Sequence, residues 1–133
     1  MMTGIVWHVQ VVQYPLMQWV GEDEWTAFEQ AYAFRAGLLI GPLMIVELLA
    51  SLVVVVAMRG SERFVALLAL VALGLVWAST FAVQVPLHER LAEGWQRDTW
   101  QTLLHSNWIR TMLWSARSVL VGTVLFRFWA RSS

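Results

Sequence analysis

The sequence predicts an all-α integral membrane protein, folded as a bundle of four transmembrane helices. Of its 133 residues, 59% are hydrophobic and only 14% are charged, whereas soluble domains carry about 25% charged residues. Apolar stretches recur four times, each long enough or nearly long enough to cross a hydrocarbon core of about 30 Å. Nine tryptophans lie mostly near the ends of these stretches, as expected for indoles at a membrane interface.

The predicted spans are residues 4–20, 36–58, 64–85 and 105–128, within a single domain covering 1–133. The first span is short and rich in polar side chains, so we expect it to face protein; an interfacial helix is the alternative. The second contains Gly41 and Pro42, where we expect a kink. The third is the most uniformly apolar.

The second and fourth helices are expected to extend beyond the bilayer. Asp23 and Asp98 stand where an N-cap would begin a helix, so these helices would cover about 23–58 and 98–129. At 1.5 Å per residue each would exceed about 45 Å. Residues 87–93 would form a separate short amphipathic helix. Five residues outside the membrane would pack together or rest at the interface: Trp25, Phe28, Tyr32, Trp100 and Leu103.

Charge asymmetry predicts the orientation. The turn 59–63 carries two arginines, and Arg127 and Arg131 lie at the C-terminal end, whereas the loop after the first span is acidic. The positive-inside rule therefore places both termini in the cytoplasm. We expect the protein in the inner (plasma) membrane of a bacterium.

The two halves of the chain resemble each other. Val12-Gln13-Tyr14-Pro15-Leu16 matches Val83-Gln84-Val85-Pro86-Leu87 at an offset of 71. Asp23, Trp25 and Arg35 match Asp98, Trp100 and Arg110 at an offset of 75. Two copies of a helical hairpin, related by an axis along the membrane normal, would explain these matches. Coincidence between apolar segments is the other interpretation.

Glu47 lies in the middle of the second span, where an unpaired charge costs about 2.5–3.5 kcal/mol on insertion scales. Spans two and four run in the same direction, and aligning their cytoplasmic ends puts Glu47 about 3 Å in height from Arg117. We therefore predict a Glu47–Arg117 ion pair, with Arg110 as the next candidate. A protonated Glu47, hydrogen-bonded to a neighbour, is the alternative.

Several function classes are disfavoured. The chain has no cysteine, no Gly-rich phosphate loop and a formal net charge of zero, so thiolate chemistry, nucleotide hydrolysis and nucleic-acid partners are not expected. The three histidines have no metal-ligand spacing, and we expect no metal and no other cofactor. His88 and Glu89, with Glu93 or Glu29, would bind a metal only at the outer surface, and a solvated loop is the favoured interpretation there.

Two stretches resemble the anthrone-oxygenase-like membrane family (the domain of unknown function 1772). They are Val85-Pro86-Leu87-His88-Glu89-Arg90-Leu91 and, after Trp100, Asn107-Trp108-Ile109-Arg110-Thr111. The resemblance implies four transmembrane helices, with an Asn-x-x-Arg element, here Asn107 and Arg110, opening the fourth. His88 stands where the family usually carries Asn. A few members are linked to oxygenation of polyketide anthrones without metal or flavin, which implies cofactor-independent oxygenase or isomerase-type chemistry.

We therefore predict an intramembrane polar pocket that binds or transforms a lipophilic ring compound or quinone-like molecule. The candidate catalytic residues are Arg110, Asn107 and Glu47, and the candidate ligand-binding residues are Gln13, Tyr14, Gln84, Trp114 and Arg117. One alternative is a non-enzymatic accessory or structural subunit of a larger membrane complex. Another is a proton or ion path, although fixed arginine charges would repel cations. Besides the lipid bilayer and a lipophilic small molecule, copies of the same chain are possible partners.

Overall fold

The computed structural model describes residues 1–132, with side chains for residues 1–130, and all of its regular secondary structure is helical. Helix α1 covers residues 2–17 and consists of an α-helix Met2–His8, a π-helical segment Val9–Gln13 and an α-helix Tyr14–Met17. Helix α2 is Glu22–Ala57 and helix α4 is Arg97–Ser132. Helix α3 covers residues 60–92 and consists of Gly60–Ser79, a π-helical segment Thr80–Gln84 and Val85–Ala92.

Three of these four helices, α2, α3 and α4, are long and apolar enough to cross a membrane. The predicted first span, residues 4–20, is not among them. Helix α1 ends at Met17 and extends for only about 24 Å, less than the thickness of the hydrocarbon core. It packs instead along α4.

The helices begin within one residue of the predicted starts, but the predicted N-cap role of Asp23 and Asp98 is wrong. Helix α2 begins at Glu22 after the N-cap Gly21, and α4 begins at Arg97. Asp23 and Asp98 therefore lie in the first turn, where a carboxylate still interacts favourably with the helix dipole. Both helices extend well beyond a bilayer core, as expected from their 36 residues each.

The predicted short amphipathic helix at residues 87–93 corresponds to the α-helical segment Val85–Ala92, which is not separate but continues α3. Pro86 is the second residue after the π-helical segment, and proline is tolerated in the first turn of an α-helical segment, where its missing N–H is not needed. Inside α2, Pro42 likewise leaves the helix uninterrupted.

Both π-helical segments directly precede an X-Pro pair, and they lie 71 positions apart. In each, an N–H donates to the carbonyl five residues back, from Tyr14 to Val9 and from Val85 to Thr80. Helices α2 and α4 start 75 positions apart and have equal length. The two halves thus have the same order of elements at the offsets of the sequence match. That they arose by duplication stays a hypothesis.

A buried aromatic cluster ties the four helices together at the end that carries the connections 18–21 and 93–96. There the Trp25 indole N–H donates to the Leu91 carbonyl at 2.7 Å, and the Trp100 indole N–H donates to the Tyr14 carbonyl at 2.9 Å. The predicted packing of the five residues is confirmed: Trp25, Phe28, Tyr32, Trp100 and Leu103 all belong to this cluster. Exposed aliphatic side chains cover the outer faces of α2 and α3, a surface that suits lipid.

Candidate functional site

A cavity of about 600 Å³ opens between α2 and α3, and α1 and α4 reach its base. On the α2 side its wall consists largely of small residues, Ala33, Ala36, Gly37 and Gly41, and on the α3 side it includes the π-helical segment. Because these small side chains are too short to reach the opposite helix, a gap remains at this height. The volume falls within the range of small-molecule sites, about 300–1,000 Å³.

Four polar side chains from three helices meet at the base of this cavity: Tyr14, Gln84, His88 and Arg110. The sequence predicted three of them, and all three are buried. Behind Arg110 lies Asn107, whose Oδ1 accepts a hydrogen bond from Arg110 Nη1 at 3.2 Å. Asn107 in turn donates to Gln10 Oε1 at 3.0 Å. Asn107 thus orients the guanidinium rather than lining the cavity.

A continuous chain of hydrogen bonds crosses the base. Glu29 Oε1 lies 2.5 Å from His88 Nδ1, and His88 Nε2 lies 2.9 Å from the Tyr14 hydroxyl. The Tyr14 hydroxyl also lies 3.2 Å from Gln84 Oε1. Gln84 Nε2 then donates to Ser106 Oγ at 2.9 Å. Glu29 is 0% exposed, and its Oε2 has no hydrogen-bond partner among the described residues.

The predicted solvated loop at His88 is wrong, and the role of Glu29 was missed. His88 lies one helical turn after Gln84 on the same continuous helix, so both side chains face inward. Glu29 lies one turn after Trp25 and three residues before Tyr32, on the buried aromatic face. Helical spacing therefore contained the signal. The predicted third span ends at residue 85 and therefore excludes His88 from the helix.

Arg110 is the cation at the base of the cavity and is only 5% exposed. In the part of the chain that the structure describes, no carboxylate lies within salt-bridge distance of it, and its Nε has no hydrogen-bond partner. Its guanidinium lies beside the Tyr14 hydroxyl. A guanidinium has five N–H donors, so this one can still donate to an oxygen atom that enters the cavity.

The predicted Glu47–Arg117 ion pair is confirmed, with Arg117 Nη1 2.5 Å from Glu47 Oε2. Arg117 Nη2 also donates to Ser51 Oγ at 2.7 Å, and its Cζ lies 5.3 Å from the ring centre of Trp114. Arg117 is about 10 Å from Arg110 along α4. These residues therefore form a second polar group, and Glu47 and Arg117 line a separate cavity of about 150 Å³.

Gln13 is likewise not part of the polar base. It lines a groove of about 390 Å³ between α1 and α2, together with His8 and Arg35. The π-helical turn inserts one extra residue, which rotates the following side chains by about 100° relative to a regular helix. As a result Tyr14, rather than its neighbour Gln13, points into the bundle.

Comparison with protein-family models, with curated proteins and with solved structures finds no match to this chain. The resemblance to the anthrone-oxygenase-like family thus stays a prediction. No group of three metal-ligating side chains occurs within the described residues.

Proposed function

We propose that this is an integral membrane protein whose main cavity binds a lipophilic ring compound through an oxygen atom. The observation that carries the proposal is the buried Arg110 guanidinium, with spare donors, at the base of a cavity of about 600 Å³. Ile40, Met44 and Val9 provide apolar surface for the ring. A carbonyl, quinone or phenolate oxygen would accept charge-assisted hydrogen bonds from Arg110, which are stronger than neutral ones.

Entry from the lipid would explain why the cavity opens between α2 and α3. On α3 the rim includes Phe81 and Val85, both exposed, and on α2 it includes Ala33 and Gly37. These side chains are apolar and lie on the outward surface of two helices that can cross a membrane. A hydrophobic ligand dissolved in the bilayer would reach the cavity without passing through water.

The binding test is equilibrium dialysis of 1,4-naphthoquinone against protein-containing and empty detergent micelles. The variant Arg110→Gln should weaken binding by about 10- to 150-fold, because a hydrogen bond to a charged group contributes about 1.5–3 kcal/mol. Arg97→Gln is the matched control, since Arg97 is exposed at the start of the same helix. An unchanged dissociation constant in Arg110→Gln would contradict the proposal.

We further propose that the C-terminus and the turn between α2 and α3 face the cytoplasm of a bacterial cell, so that the cavity lies nearer the outer leaflet. The expected cytoplasmic N-terminus is not proposed again, because α1 is too short to cross the membrane and only three helices can span it. The chain contains no cysteine, which permits single-cysteine labelling of intact cells with an impermeant maleimide. Glu24→Cys, at the exposed start of α2, should react from outside. Ser61→Cys, exposed in the first turn of α3, should react only after the membrane is opened. The opposite pattern would reverse the orientation.

A further inference from the structure

The Tyr14 hydroxyl faces two hydrogen-bond acceptors but carries only one proton. If His88 is neutral and donates its Nδ1–H to Glu29, its Nε2 carries a lone pair. The Tyr14 hydroxyl can then donate its proton either to that lone pair, at 2.9 Å, or to Gln84 Oε1, at 3.2 Å, but not to both. One acceptor in this buried network remains without a donor, which is unfavourable.

A single additional proton completes the network. Placed on His88 Nε2, it is donated to the Tyr14 oxygen, and the Tyr14 hydroxyl is then free to donate to Gln84 Oε1. The Nδ1–H continues to donate to Glu29. Each contact from Glu29 Oε1 through His88 and Tyr14 to Gln84 Oε1 then has one donor and one acceptor, so the base of the cavity is built to accept a proton at one defined atom.

Glu29 is placed to stabilise the resulting imidazolium. Its carboxylate is fully buried, and His88 is its one hydrogen-bonding partner within the described residues. A buried carboxylate in this position fixes the ring orientation and compensates the positive charge, as the aspartate does in a catalytic triad. Glu29 therefore acts through His88 and is a positioning residue.

The charges that face His88 have opposite signs on its two sides. Glu29 and Tyr32 approach from α2 and Tyr14 from α1, while Arg110 of α4 lies beyond Tyr14. A proton acceptor thus lies next to a donor that can stabilise negative charge on oxygen. An enolisable ketone needs this arrangement, because its acidic C–H and its carbonyl oxygen are only two bonds apart.

We propose that the site abstracts a proton from the carbon next to the carbonyl of a lipophilic ring ketone, with His88 as general base and Arg110 stabilising the enolate. The inference rests on the proposed ligand-binding function. In this step the C–H bond breaks and its proton passes to the Tyr14 oxygen, while the Tyr14 hydroxyl proton forms the N–H bond on Nε2, whose one lone pair faces that hydroxyl at 2.9 Å. The C–H electron pair becomes the C=C bond, and the carbonyl π pair moves onto oxygen. Return of the proton to the same carbon gives exchange, and return to another carbon gives an isomer, with no change in oxidation state.

The test follows hydrogen–deuterium exchange at C1 of 2-tetralone in buffered D2O by proton NMR, with protein in deuterated micelles. The protein should accelerate exchange over empty micelles. His88→Gln keeps a hydrogen-bonding group but cannot accept the proton, so exchange should slow by about 10²- to 10⁴-fold with the dissociation constant of 2-tetralone unchanged. The matched control is His105→Gln, at an exposed histidine that does not line the cavity; this variant should catalyse exchange at the original rate.

Glu29→Gln provides an independent readout. Without the carboxylate the imidazolium is less stable, so the rising limb of the pH–rate profile should move to lower pH. If the His88→Gln protein does not fold, the pH–rate profile of Glu29→Gln is the test instead. A Glu29→Gln profile identical to that of the original protein overturns the inference. Full exchange activity in a folded His88→Gln that binds 2-tetralone overturns it as well, and leaves the binding proposal standing. Failure of the original protein to bind any ring ketone or quinone overturns both.

Discussion

The ion pair between Glu47 and Arg117 permits a prediction with an asymmetric outcome. The Arg117 side chain is 8% exposed and that of Glu47 is 21% exposed. Removing one partner from a buried pair costs about 3–5 kcal/mol. Arginine cannot lose its proton, so Glu47→Gln leaves a buried cation and should cost about 3 kcal/mol. Arg117→Gln should cost only about 1–2 kcal/mol, because the more exposed carboxylate can become protonated.

The double variant completes the cycle and isolates the interaction between the two side chains. Because the charges disappear together, its cost should fall short of the sum of the single costs by at least about 1 kcal/mol. The assay is reversible unfolding in mixed micelles followed by circular dichroism, where 1.4 kcal/mol is a tenfold change in the equilibrium constant. Arg127→Gln, exposed on the same helix, is the control. Additive costs, or a larger cost for Arg117→Gln than for Glu47→Gln, would refute the reasoning.

Two further predictions concern the aromatic cluster and the cavity. Trp25→Phe removes a buried indole donor bonded at 2.7 Å and should lower the free energy of unfolding by about 1–3 kcal/mol in the same micelle assay; Trp19→Phe, at a side chain 79% exposed, should not. If both variants lowered the free energy of unfolding equally, the buried indole hydrogen bond would not be the cause. Gly37→Leu should fill the main cavity and abolish 1,4-naphthoquinone binding in dialysis without lowering stability, because no atom lies within 4 Å of a Cβ added there. Gly122→Leu is equally unhindered but lies outside the cavity lining, so loss of binding in that variant would contradict the proposed location.

Counting residues along the chain was enough to pair Glu47 with Arg117. Both helices run in the same direction, and the rise per residue of an α-helix is constant, so depth can be read from sequence position. The same regularity predicted that Tyr14, Gln84 and Arg110 face the interior. These predictions needed only local geometry and the rule that lipid cannot satisfy a buried polar group.

Prediction of side-chain direction from sequence position was wrong where a helix departs from regular α-helical geometry. The π-helical segments in α1 and α3 each add a residue to one turn, which places Tyr14 rather than Gln13 toward the interior. The continuation of α3 past Pro86 carried His88 from an expected loop into the bundle. Neither effect is visible in hydropathy, because both depend on how a proline is accommodated by the backbone around it.

By itself, the sequence determined that apolar helices carry a small number of inward-facing polar residues, since composition and helical period follow directly from the order of side chains. Only the tertiary structure decided that these residues divide into two groups. One joins Glu29, His88, Tyr14 and Arg110 around a cavity, and the other is the Glu47–Arg117 pair. The physical reason is that neighbours from different helices depend on how closely those helices approach, which is set by packing of small and large side chains across the bundle and is not encoded in any single segment.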